Sequence, residues 1–113
     1  AAAMGRRGRW RTRIEALALA YWRGVAGQPE LVLALTARSE ASAALAARWQ
    51  DGVRRALADT GLARRAQREL ADALADLVHG AALAPVGASE RAVRRSIALL
   101  LDGVDARLGS GQL

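Results

Sequence analysis

Apolar residues recur along this chain every three to four positions, and that spacing constrains the fold more than any other feature. Trp10, Ile14, Leu17, Tyr21 and Val25 make one such stripe, and Val93, Ile97, Leu100, Val104 and Leu108 make another. A period near 3.6 puts these side chains on one face of a helix, whereas a strand would require alternation. The fold class expected is all-α, a five-helix bundle. Alanine and leucine dominate the apolar content and phenylalanine is absent, so the bulk of the chain consists of strong helix formers.

Glycine and proline divide the pattern into five segments. The first helix is predicted from about Trp10 to Ala26, ended by Gly24, Gly27 and Pro29. Pro29 suits the first turn of a second, short helix reaching about Arg38, apolar on most sides through Leu31, Val32, Leu33 and Leu35. Ser39 can cap a third helix running to about Thr60, with Leu45, Trp49, Val53, Ala56 and Leu57 inward and Gly61 as its C′ residue. A fourth helix spans about Leu62 to Ala84 and stops at Pro85. The fifth starts at Ser89-Glu90 and ends at Gly109.

The net charge of +6 is unevenly placed. All 17 basic residues are arginine, and Arg6, Arg7, Arg9, Arg11 and Arg13 precede the first acid, Glu15. Beyond that point arginine and acid nearly balance, so the body carries no footprint for a phosphate backbone. Residues 1–9 read as a basic arm or linker, 10–108 as one domain and 109–113 as a tail. There is no cysteine, which excludes disulfides and thiolate chemistry and fits a reducing cytoplasm. No apolar run approaches the roughly 18 residues of a membrane span, so no membrane partner is expected.

Catalysis has little to work with. His79 is the one histidine, and no glycine-rich phosphate loop follows a strand. Asp72, Asp76 and His79 fall near one helix face. A carboxylate–histidine metal pair there is one reading, but a polar strip beside a dimer seam, with Asp76 supporting His79, is the expected arrangement. Neither an enzyme nor a cofactor is expected. The aromatic residues Tyr21 and Trp49 are either core or the walls of an apolar cavity, and Gly52 marks a close approach or leaves space.

Two stretches ask for more cover than one small chain offers. From Leu70 to Ala84 the fourth helix is apolar on most of its circumference. The fifth carries a second stripe of mostly small residues, Ala92, Ser96, Leu99, Gly103 and Ala106. A second copy of the chain is the simplest cover. The expected homodimer interface comprises Leu77, Gly80, Ala81 and Ala84 on the fourth helix with Ser96, Leu99, Leu100, Gly103 and Ala106 on the fifth.

The order of these segments resembles a known family. Trp10-Arg11-Thr12-Arg13-Ile14-Glu15-Ala16-Leu17 followed by Gln28-Pro29-Glu30-Leu31 is similar to the start of the C-terminal domain of TetR-type transcriptional regulators. Leu74-Ala75-Asp76-Leu77-Val78-His79-Gly80-Ala81 and the ending Leu99-Leu100-Leu101-Asp102-Gly103-Val104-Asp105-Ala106-Arg107-Leu108 resemble its last two long helices. That resemblance implies a repressor domain whose final helices pair with their copies in a four-helix interface. It implies a pocket for a small apolar effector, here Leu17, Tyr21, Leu45, Trp49 and Leu74. Effector binding then shifts a population between two dimer geometries and releases DNA. No helix-turn-helix precedes Trp10, so DNA could be read only by a segment missing from this sequence. The alternative is a helical homodimer with a structural or protein-binding role and no ligand.

Overall fold

The computed structural model describes residues 2–37, 39–84 and 88–110. It contains five helices among them: α1 (Ala2–Val25), α2 (Pro29–Thr36), α3 (Glu40–Ala56), α4 (Arg64–Leu83) and α5 (Glu90–Ser110). The all-helical class and the order of elements are as expected. None of these helices is long and apolar enough to cross a membrane.

Three boundaries differ from expectation. Helix α1 starts at Ala2 and not near Trp10, running through an Ala- and Arg-rich stretch that favours helix. Arg11 and Arg13 are tied down: Arg11 pairs with Asp102 at 2.7 Å, and Arg13 pairs with Asp59 at 3.4 Å. Helix α3 stops at Ala56, well before Thr60. The Thr60 amide and hydroxyl both donate to the Leu57 carbonyl, at 3.0 and 2.7 Å, and close a turn that ends the helix. Gly61 therefore lies in the following loop, where its φ of +74° still requires glycine. Helix α4 begins at Arg64, later than Leu62, which is buried in the connection.

Other punctuation operates in part: α5 runs through Gly109 to Ser110, while Arg38, the expected end of α2, and Pro85, the expected stop of α4, lie outside the described residues. Gly27 adopts φ +75° just after α1, and the Gln28 side chain donates to the Gly24 carbonyl at 3.2 Å. Pro29 opens α2 and Ser39 caps α3, its hydroxyl accepting from the Ser42 amide at 3.1 Å.

Helices α1 and α4 each pack against all four other helices, while α5 touches only those two among the described residues. The central pair thus carries α5 on one side and the mutually packed α2 and α3 on the other. The core follows from this: Trp10, Ile14, Ala18 and Leu19 of α1 meet Val53, Ala56 and Leu57, Leu70, Ala71 and Leu74, and Val93, Ile97 and Leu101. A smaller cluster of Val25, Val32 and Val78 closes the far end, where α2 packs. Surface ion pairs Arg11–Asp102, Arg23–Glu90 and Glu15–Arg94 all join α1 to α5. Such exposed pairs add little to stability, because water and salt screen them.

The central position of α4 explains much of its apolar circumference. Leu77 and Ala81 pack partly against the core of their own chain, and Ala84 is half-buried, whereas Gly80 and Leu83 are exposed. On α5, Leu100 also packs on the core, and Leu101 is the buried residue of that turn. The small-residue stripe differs: Ala92, Ser96, Leu99, Gly103 and Ala106 are all exposed, Leu99 by 67%.

Candidate functional site

Four helices leave an apolar cavity of about 660 Å³ between them. Each contributes one stripe set by helical spacing. Helix α1 presents Leu17, Ala20, Tyr21 and Gly24, and α3 presents Ser42, Leu45, Ala46 and Trp49. Helix α4 adds Asp72, Ala75 and His79, and α2 covers one side with Leu31 and Leu35. Small residues are the reason for the space. Ala20, Gly24, Ala46 and Ala75 stand beside the large rings of Tyr21 and Trp49, so the facing helices cannot fill the gap.

The aromatic groups form one wall. Tyr21 and Trp49 lie with ring centroids 5.2 Å apart and tilted by 47°, and His79 meets Tyr21 edge-on at 5.4 Å. The Trp49 indole N–H donates to the Ala71 carbonyl at 2.8 Å, which fixes its ring against α4. The Tyr21 hydroxyl and His79 Nε2 share a hydrogen bond. Burial pushes the Tyr21 hydroxyl above its ordinary range, so it keeps its proton. Burial likewise lowers the His79 imidazole below its usual value, against a smaller opposing pull from the Asp76 carboxylate. Neutral forms therefore dominate this wall near neutral pH.

Asp72 accepts a hydrogen bond from the Gln50 amide at 2.8 Å, across the α3–α4 contact. Asp72 and His79 thus line the cavity, and the hydrogen-bond partner of His79 is Tyr21, with Asp76 acting by charge alone. Among the described residues no group of His, Asp and Glu is placed to hold a metal ion.

Of the five residues expected at an effector pocket, Leu17, Tyr21, Leu45 and Trp49 line this cavity. Leu45 does so as an exposed residue, 46% accessible, and not as the core residue its stripe suggested. Leu74 does not line it. It is fully buried in the core, and its neighbour Ala75 faces the cavity, since successive helix residues diverge by about 100°. Gly52 marks a close approach: a Cβ there would stand 3.3 Å from Leu17 Cδ2. Sequence reasoning missed Ala20, Gly24, Ala46 and Ala75. Their signal was available as small residues one turn from Leu17, Tyr21, Trp49 and His79. Arg48 and Gln50 had no such signal, because polar residues flanking a stripe are ordinarily just solvated.

No family model, curated protein or solved structure matches this chain.

Proposed function

We propose that this chain is the effector-binding and dimerisation domain of a TetR-type transcriptional repressor, acting as a homodimer in the bacterial cytoplasm. The observation that carries it is the cavity of about 660 Å³ walled by Leu17, Tyr21, Leu45 and Trp49. Its size lies within the roughly 300–1,000 Å³ of small-molecule sites, and apolar walls with a few polar groups are their usual make-up. A ligand seated there touches α1 and α4, the two helices on which α5 rests. Shifting α1 against α4 therefore moves α5, and with it the exposed stripe from Ala92 to Ala106 that a second copy would cover. Coupling of ligand to dimer geometry requires only that the ligand favour one of two such arrangements. DNA would be contacted by a helix-turn-helix outside these residues. The role is binding, with no catalytic step and no cofactor.

Two measurements on the purified chain test this together: mass by light scattering, and thermal stability with and without octanol as an apolar probe. A dimer stabilised by octanol supports the proposal, since a ligand bound only by the folded state raises its stability. A dimer indifferent to every apolar probe supports the structural-homodimer alternative instead. A monomer without probe binding overturns both.

A further inference from the structure

Polar side chains lining the cavity are nearly all matched among themselves. Tyr21 and His79 bond each other, Trp49 donates to the Ala71 carbonyl, and Gln50 donates to Asp72. Ser42 is occupied by its own turn, donating to the Ala37 carbonyl. Arg48 is the exception. It lines the cavity on α3, one turn from Leu45, and forms no ion pair or hydrogen bond with any described residue.

The geometry points to an amphipathic carboxylate as the ligand, with its apolar body against Leu17, Tyr21, Leu31, Leu35, Leu45 and Trp49 and its anionic head at Arg48. This rests on the ligand-binding reading above and adds the chemical class. A guanidinium is the side chain best suited to a carboxylate, which it meets with two parallel N–H donors. A neutral ligand leaves that exposed cation in water and gains nothing from it. A cationic head would be repelled by Arg48 and drawn instead to Asp72, whose carboxylate keeps its charge while accepting from Gln50, so the sign of the preferred head group tells the two walls apart. Asp72 also sets the orientation, because a carboxylate is repelled from the α4 wall and accepted at the α3 wall.

The test uses three probes of equal length on the full chain: octanoate, octanol and octylammonium, with dissociation constants from calorimetry. Arg48 is exposed, so its charge contributes a modest factor. Arg48→Gln is expected to weaken octanoate about five-fold and octanol less than two-fold, and Arg48→Lys to retain most of the octanoate affinity. Octylammonium is expected to be the weakest ligand. Equal losses for octanoate and octanol in Arg48→Gln, or tightest binding by octylammonium, overturn the carboxylate assignment and leave the cavity proposal standing. Absence of binding by all three overturns both.

Discussion

Gly52 of α3 faces Leu17 of α1 so closely that a Cβ at position 52 would stand 3.3 Å from Leu17 Cδ2 and 3.7 Å from Cδ1. The neighbour that must yield is the tip of a flexible side chain, and Leu17 borders the open cavity. Gly52→Ala gains up to about 1 kcal/mol of helix propensity while pushing Leu17 a few tenths of an ångström into that space. The melting temperature is expected to rise by a few degrees, with octanol or octanoate binding weakened. A lower melting temperature would show that Leu17 has no room to move.

His79 makes stability depend on pH. Its folded-state imidazole titrates below the ordinary value of 6.5, so between the two values the unfolded chain binds more protons. The contribution is fully present above pH 6.5 and is lost as pH falls through the folded value. Thermal melts from about pH 7.5 to about pH 5 should show a falling midpoint that flattens in His79→Gln. Glu90, held below the usual carboxylate range chiefly by its hydrogen bond to Arg23, loses its contribution only in stronger acid and leaves this window clear.

Trp49 is fixed by one hydrogen bond and one ring contact. Trp49→Phe keeps a ring beside Tyr21 but removes the donor to the Ala71 carbonyl. The expected cost is about 1–2 kcal/mol by chemical denaturation, from the lost bond and the smaller ring. A change within about 0.3 kcal/mol would show that the indole N–H exchanges this bond for water without loss.

Gly103 tests the outer face of α5. It is exposed, and beyond its chain neighbours and its own helix backbone no described residue lies within 4 Å of a Cβ built there. Gly103→Leu therefore fits the folded chain and improves helix propensity by roughly 0.5–1 kcal/mol. Light scattering is expected to give half the mass of the unsubstituted chain, with helix content unchanged. A mass unaltered by the substitution would place any contact between copies on another surface.

Local chemistry made most of the architecture legible in advance. The stripe Trp10, Ile14, Leu17, Tyr21 and Val25, the prolines and the Ser39 cap act over one or two turns, where spacing and backbone preference suffice. Boundaries were less legible where a side chain competed with the helix, as Thr60 does at the Leu57 carbonyl. Four lining residues of the cavity, on α1 and α3, could be chosen because aromatic and branched side chains on helix stripes have to meet something. Leu74 was misplaced for a geometric reason: a stripe has two edges, and only the position of α3 and α5 around α4 decides which edge faces core and which faces space.

The order of helices and the apolar stripe that each carries were determined by the sequence alone, because both follow from a 3.6-residue period and its interruptions. Only the tertiary structure decided that α1 and α4 form the central pair and that Tyr21 meets His79 across 58 residues of chain. It alone left Arg48 on the cavity lining without an ion pair or hydrogen bond to any described residue. Those outcomes depend on how rigid helices stack once small residues such as Ala20, Gly24 and Ala75 stop them from closing, and that is a property of volumes in contact.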